Sequence, residues 1–284
     1  MSAASVRLPR LAAVVEEATK LPAFLRRDFL IAWSYRVGFF SDFANLAAQM
    51  ALFFFVGELI DAGQLPTYGG AEVTYLEFVT LGIVLNVFVQ VALSRTSEAL
   101  RTEQMIGTLE ALLTTPTATA TVQVGSAAFD LVYMPIRTGI LLLFMALVVG
   151  LDLHASGALP ALVLMLAFIP FVWGLGISTA AAILTFRRGS GMMGLGTLVL
   201  GLASGAFFPL SVLPAWVASV AEYNPLAIAI EGLRETLLGG TGWGGIADDL
   251  TVLIPISAVS VAIGSVLFRL ALRRERRRGT LGLY

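Results

Sequence analysis

The charged side chains best placed to bind another molecule lie in residues 98–116, EALRTEQMIGTLEALLTTP, between two strongly apolar stretches. The charged side chains of this run are Glu98, Arg101, Glu103 and Glu110, and a cap or salt bridge within the same chain is an alternative role for Glu110. Wound as a helix, the run also forms an apolar stripe, made of Met105, Ile106, Leu109, Leu112 and Leu113. A helix lying on lipid headgroups and a helix docked on another protein both fit this pattern.

Other kinds of chemistry lack the residues that they need. The chain has no cysteine, which excludes thiolate catalysis, and its single histidine, His154, is expected to be a surface-loop residue rather than part of a metal site. A phosphate-binding loop ends in lysine followed by serine or threonine, but Lys20 is the only lysine and Leu21 follows it. The chain is therefore not itself a P-loop ATPase, and we expect it not to be an enzyme.

The composition is that of an integral membrane protein. Of 284 residues, 57% are hydrophobic and 13% are charged, and the mean hydropathy is +0.87. Such a chain cannot cover a water-facing surface with polar groups. Because Glu16 and Glu17 interrupt the first residues, these do not resemble a cleavable signal peptide, and we expect them to stay attached.

Six stretches are long and apolar enough to cross a bilayer as helices, which need about 20 residues each. We place these spans near 37–60, 72–94, 120–150, 159–185, 192–212 and 249–271. The predicted organisation is therefore an N-terminal region (1–36), a six-span domain (37–271) and a basic tail (272–284).

The basic residues predict the orientation of these spans. With the N-terminus inside, all of the 18 basic residues except Arg137 and Arg234 lie on the cytoplasmic side or its interface. Both termini and residues 98–116 are then cytoplasmic, and the expected location is the plasma (inner) membrane.

An amphipathic helix is predicted before the first span. Leu21, Leu25, Phe29 and Trp33 recur every four residues, with Arg26 and Arg27 between them, so we expect this helix to lie at the lipid surface. Simple anchoring is the favoured role, and the RRERRR run after the last span is interpreted as a stop-transfer anchor.

Polar residues inside the predicted spans are candidates for a substrate path. Polar groups at that depth should face protein or water, either for hydrogen bonding between helices or for contact with a substrate. Asp130 and Arg137 are about 10 Å apart along one helix face by the 1.5 Å rise. The candidates are Asp42, Asn45, Gln49, Asn86, Gln90, Asp130 and Arg137.

Span 5 and the stretch after it have features of their own. Gly201 and Gly205 form a GxxxG pair, which serves either packing within the chain or packing against a second copy. Residues 213–240 are too broken for a further span, because Pro214 and the Asn224–Pro225 pair interrupt them. We expect two short helices that dip partly into the outer leaflet.

Two patches resemble motifs of a known family, the membrane permeases of type 2 ABC exporters. The first is Glu98, Glu103, Gly107-Thr108-Leu109-Glu110, Leu112-Leu113 and Thr115-Pro116. The second is Ser204-Gly205, Phe207-Phe208-Pro209, Leu213-Pro214, Trp216, Asn224-Pro225-Leu226, Glu231 and Arg234. Together with six spans in the right order, the resemblance covers nearly the whole chain.

The resemblance implies a fold and a set of partners. It implies an all-α membrane protein with six transmembrane helices, an interfacial helix, a cytoplasmic coupling helix (98–113) and a broken outer helical hairpin (213–240) between spans 5 and 6. Two ATP-binding cassette subunits would carry the ATP and magnesium, and this chain would bind no cofactor, metal or nucleic acid. A second permease copy, identical or homologous, would face spans 1 and 5, where Gly201 and Gly205 lie.

The resemblance also assigns roles to residues. The coupling helix would dock on the ATP-binding subunit through Glu98, Arg101, Glu103, Met105, Ile106, Gly107, Thr108, Leu109 and Glu110. The interfacial helix, with Arg26, Arg27 and Trp33, would touch the same subunit. The outer stretch would cap the exit of the path, either as a gate or as a static lid. Its residues are Pro209, Pro214, Trp216, Asn224, Pro225, Glu231 and Arg234.

The predicted function is ATP-driven export of a hydrophobic or amphiphilic molecule, drug-like or lipid. A polysaccharide or lipid-linked glycan is the alternative cargo. An ATP-independent secondary transporter is the competing class, but such proteins usually contain internal repeats and we find no convincing repeat here.

Overall fold

The computed structural model of the chain describes residues 36–58, 65–106, 135–148, 150–186 and 189–278, and single residues 22, 26, 29, 30, 34 and 133. Within them the structure is helical and has no strand, apart from an isolated bridge between Tyr68 and Ala71. The helices are α1 (Arg36–Gly57), α2 (Tyr75–Ile106), α3 (Pro135–Val148), α4 (Ala158–Phe186), α5 (Gly189–Leu202), α6 (Ala215–Ala221), α7 (Pro225–Leu237) and α8 (Trp243–Arg278).

Three stretches of these helices are long and apolar enough to cross a membrane: Tyr75–Leu93, Ala155–Thr185 and Trp243–Arg274. Two shorter apolar helical stretches, Ala47–Gly57 and Pro135–Val148, accompany them. The prediction of an all-helical membrane protein is thus confirmed, and the full set of six spans stays a prediction.

Helices α2, α4 and α8 begin at the same end of the molecule. Phe78, in the first turn of α2, contacts Arg234 of α7, and the backbone N–H of His154, just before α4, donates to the carbonyl of Leu237 at 2.8 Å. Helix α8 begins six residues after α7 ends. We call this end the Arg234 end, and the opposite end, which carries Arg273, Arg274 and Arg277 of α8, the arginine-rich end.

Helices α4 and α8 form the most extensive helix pair among the described elements. The hydroxyl groups of Ser257 and Ser260 donate to backbone carbonyls of α4, at 2.8 and 3.0 Å. A Cβ atom added at Gly174 would collide with the backbone of Ser260, and one added at Gly264 would collide with the carbonyl of Gly174. Small residues therefore bring the two backbones close together, as is common between helices in lipid.

The observed helix bounds differ from the predicted spans in two places that matter for function. Helix α5 ends at Leu202 rather than near 212, because the Ser204 hydroxyl caps the carbonyl of Gly201 at 2.6 Å and Gly205 adopts a φ of 70°. Residues Glu98–Ile106, predicted as the start of a separate helix, instead continue α2 without a break.

Candidate functional site

Arg234, in α7, is a charged side chain enclosed by protein. Only 2% of it is exposed, although an isolated buried cation is strongly unfavourable. Burial lowers the pKa of its guanidinium, while Tyr68 and Glu231 act in the opposite direction. Such a cation must be satisfied by hydrogen bonds and a counter-ion, and the structure supplies both.

Backbone carbonyls from two distant segments accept the guanidinium protons. Nε and Nη2 of Arg234 donate to the carbonyl of Phe78 in α2, at 3.1 and 2.8 Å. Nη2 also donates to the carbonyls of Gly205 and Ala206, at 3.0 and 3.4 Å, just after α5. The guanidinium carbon lies 3.5 Å from the centre of the Phe78 ring, within range of a cation–π interaction. One side chain thus joins α7, α2 and the segment after α5.

Acidic and phenolic groups complete the arrangement. The carboxylate of Glu231 lies 3.4 Å from Nη1 of Arg234 and accepts a hydrogen bond from the Tyr68 hydroxyl at 3.1 Å. Burial raises the pKa of Tyr68, and Arg234 partly offsets this, so the phenol stays protonated and donates. Burial, followed by repulsion from Glu231, also raises the pKa of Glu235. We call the set Tyr68, Phe78, Gly205, Ala206, Glu231 and Arg234 the Arg234 clamp.

Asn224 makes a second connection between α5 and α7. Its Oδ1 accepts from the backbone N–H of Leu226, so it caps the first turn of α7, and Pro225 occupies the first helical position. Its Nδ2 donates to the carbonyls of Leu200 and Ala203 at the end of α5, at 3.1 and 2.9 Å. The predicted Asn-Pro interruption therefore caps the start of α7 and binds carbonyls at the end of α5.

Gly82 lets α2 approach the clamp closely. A Cβ atom added at this position would overlap the backbone of Ala206. We therefore expect Gly82→Ala to destabilise the protein by about 2 kcal/mol, the typical cost of overpacking a close contact. The melting temperature of the purified protein in detergent measures this loss.

The matched control for this variant is Gly139→Ala on α3. Among the described residues, no atom outside the helix's own nearby backbone lies within 4 Å of an added Cβ there, so alanine should leave stability unchanged or raise it by up to about 1 kcal/mol through helix propensity. Equal melting temperatures for the two variants would contradict the close approach at Gly82.

Helix α2 connects the clamp to the predicted docking residues. It is 32 residues long, which corresponds to about 48 Å at 1.5 Å per residue, well beyond a hydrocarbon core of about 30 Å. Phe78 lies near its start, and Glu98, Arg101, Glu103, Met105 and Ile106 lie along its last turns. The other predicted docking residues, Gly107, Thr108, Leu109 and Glu110, lie outside the described residues.

The predicted substrate-path residues are only partly assembled. Asn86 is buried and accepts a hydrogen bond from the Gln90 amide at 2.8 Å, and a Cβ atom added at Gly201 would meet its amide nitrogen. Arg137 is buried on α3, and Gln49 is half-buried on α1. Asp42 and Asn45 lie on α1, and Asp130 lies outside the described residues.

The remaining predicted residues fall into three groups. Gly201 packs within the chain, while Gly205 lies beyond α5 rather than on the same helix face. Of the gate residues, Trp216 is 75% exposed, and Pro209 and Pro214 flank the short turn Leu210–Val212. Of the interfacial residues, Arg26 is helical and exposed. Arg27 and Trp33 lie outside the described residues.

Sequence reasoning missed Ala206 of the clamp and three residues near the start of α2. Phe78 and Gly82 look like ordinary residues of an apolar helix, Tyr68 precedes that helix, and the partners of all three are more than 120 residues away. The sequence signal for the clamp was only the pair Glu231 and Arg234, spaced three apart on a helix.

Comparison with known proteins identifies the family. Residues 19–238 match the family model described as ABC-2 type transporter. Over 158 residues the chain is 27% identical to the linearmycin resistance permease protein LnrN of Bacillus subtilis (strain 168). That match covers 56% of this chain and 40% of the relative, so the chain spans less than half the length of this curated relative. With a family match over most of its length and apolar helices long enough to cross a bilayer, the chain belongs to the ABC-2 type transporter family of membrane proteins.

Proposed function

We propose that this chain is the transmembrane permease subunit of an ATP-driven exporter. The observation that carries the proposal is the continuity of α2, which joins the Arg234 clamp at one end to the predicted docking residues at the other. A rigid helix of this length transmits a displacement from a partner outside the bilayer to the opposite surface. The family match supports the same role.

In this proposal an ATP-binding subunit seats the segment 98–113 in a groove on its surface. Two such subunits bind ATP and magnesium, and two permease chains enclose the route. Closure of the ATP-binding subunits pulls on α2, and the clamp passes the movement to α7 and to the segment after α5. The arginine-rich end then lies on the cytoplasmic side of the plasma membrane, as the positive-inside rule favours.

The proposed cargo is a hydrophobic or amphiphilic small molecule or lipid. The relative is named as a resistance permease for linearmycin, which favours removal of a toxic small molecule over export of a glycan. Apolar side chains on α1 that face outward in the single chain, Leu52, Phe54 and Phe55, offer an apolar wall to such a cargo.

The test is assembly with an ATP-binding subunit encoded by the same source organism. We expect the two proteins to co-purify and to export amphiphilic dyes from proteoliposomes only with ATP and magnesium. Glu110→Arg should abolish co-purification, because it reverses a charge within the docking segment. The control is Glu222→Arg, which makes the same charge reversal at an exposed residue directly after α6. This variant should leave the complex intact.

Two results would overturn this assignment. Transport against a gradient by the chain alone, without nucleotide, would identify a secondary transporter instead. Retention of both the complex and stimulated ATP hydrolysis in Glu110→Arg would remove the docking role of residues 98–113.

A further inference from the structure

An open groove lies at the arginine-rich end of the molecule, on the surface of α4 and α8. It consists of two adjoining cavities of about 380 and 330 Å³. Leu270 and Arg274 line both cavities, so the two lie side by side, and we call them together the groove. The groove lies far from the Arg234 clamp and has no part in the function proposed above.

One half of the groove is strongly cationic. Arg273, Arg274 and Arg277 line it, and no acidic residue is among the described lining residues of either cavity. Positions 273 and 277 are four apart, so these side chains emerge from neighbouring turns of one helix face. Guanidinium groups grouped in this way match the geometry and charge of a phosphate group.

The other half of the groove is apolar. The hydroxyl groups of Ser178 and Thr185 line it on α4, but they donate to carbonyls of their own helix at 2.7 and 2.9 Å. Ala182 and Leu270 complete this part of the wall. The surface therefore offers methyl and methylene groups rather than free donors, and this suits a hydrocarbon chain.

The groove also lies at the depth of lipid headgroups. On α8, exposed apolar side chains continue from Ile254 through Val266 to Leu270, which is 55% exposed, while arginines begin at Arg269 and cluster from Arg273 onward. A long exposed apolar surface on a membrane helix faces acyl chains, and the first basic residues after it lie beside the phosphates.

We propose that this groove binds one anionic glycerophospholipid. Its phosphate pairs with Arg274 between the two flanking arginines, and one acyl chain lies along the apolar wall beside Ala182. The arginines favour an anionic ligand. Because the apolar half lies next to them, the ligand should also carry an apolar part, as an amphiphile does. An inorganic phosphate or an acidic protein segment would use the first half alone.

The first experiment measures lipid retained by the purified full-length chain in native mass spectrometry. Samples are equilibrated with phosphatidylglycerol or with phosphatidylcholine, and we expect selective retention of phosphatidylglycerol. Arg274→Gln should lower that retention about tenfold, since one charge-assisted hydrogen bond contributes at least 1.4 kcal/mol, or a factor of about ten. Arg269→Gln removes the same charge from an exposed position on α8 outside the groove and should retain the lipid.

A second variant separates a lipid from other anions. Ala182→Phe fills the apolar half and leaves every arginine in place, so it should also release phosphatidylglycerol. Retention of the lipid in this variant, or its displacement by inorganic phosphate, would show that only an anion is recognised and would overturn the proposal. Equal retention of the two lipids by the wild-type chain, or an equal loss in Arg269→Gln and Arg274→Gln, would do the same.

Discussion

Replacing Arg234 with leucine is expected to lower the melting temperature of the purified protein by roughly 10 °C, for a loss of about 3 kcal/mol. The variant leaves the clamp carbonyls of Gly205 and Ala206 without their guanidinium donor and removes the cation–π contact with Phe78. Each buried polar group that loses its partner costs about 1–3 kcal/mol, and a leucine side chain cannot replace any of these bonds. Melting curves in detergent, followed by size-exclusion chromatography, give the measurement.

Two controls show whether the hydrogen-bond geometry of Arg234 matters beyond its charge. Arg234→Lys keeps the charge but cannot donate from Nε and Nη2 to one carbonyl, so its melting temperature should fall between those of the wild type and of Arg234→Leu. Arg269→Leu, at an exposed position of α8, should melt like the wild type. If Arg234→Leu also melted like the wild type, the clamp would contribute nothing to the fold.

The second large effect is expected from an interruption of α2. Thr96 lies within this continuous helix, between the clamp and the docking residues, and the variant is Thr96→Pro. Proline removes one backbone hydrogen bond and clashes with the preceding turn, at a cost of about 3 kcal/mol, and usually kinks the helix. We expect the variant to assemble with the ATP-binding subunit and to hydrolyse ATP, while transport falls at least tenfold.

This split between hydrolysis and transport is the important readout. A loss of both activities would indicate a docking defect or misfolding rather than a broken connection, and Thr96→Ala controls for removal of the threonine side chain. Transport at the wild-type rate in Thr96→Pro would show that a rigid α2 is not needed, and the proposed transmission through this helix would be wrong.

Apolar length was sufficient to predict the positions of the long helices. The fourth predicted span, 159–185, differs from Ala158–Phe186 by one residue at each end, because hydrophobic residues fill the whole helix and Pro170 does not end it. The sequence also predicted an interruption between α5 and α8, from Pro214 and the Asn224–Pro225 pair. Two short helices, α6 and α7, occupy that stretch.

The sequence could not predict where α5 ends or what surrounds Arg234. Besides the local Ser204 cap, the end of α5 is held by Asn224, more than 20 residues later, whose amide donates to the carbonyls of Leu200 and Ala203. Arg234 depends on carbonyls of Phe78 and Gly205, and backbone acceptors have no signature in the sequence. A charged residue after the fifth span was expected at a gate, whereas its burial required knowledge of the tertiary contacts.

The serine hydroxyls and glycines that join α4 to α8 limit how a passage could form. Separating these two helices would break the hydrogen bonds from the hydroxyls of Ser257 and Ser260 to α4 within the hydrocarbon core. Each polar group that loses its partner there adds to the free energy needed to separate the helices. We therefore expect the two helices to move together. Any widening during the proposed transport cycle should then occur away from the contact between α4 and α8, so crosslinks between these two helices should be tolerated.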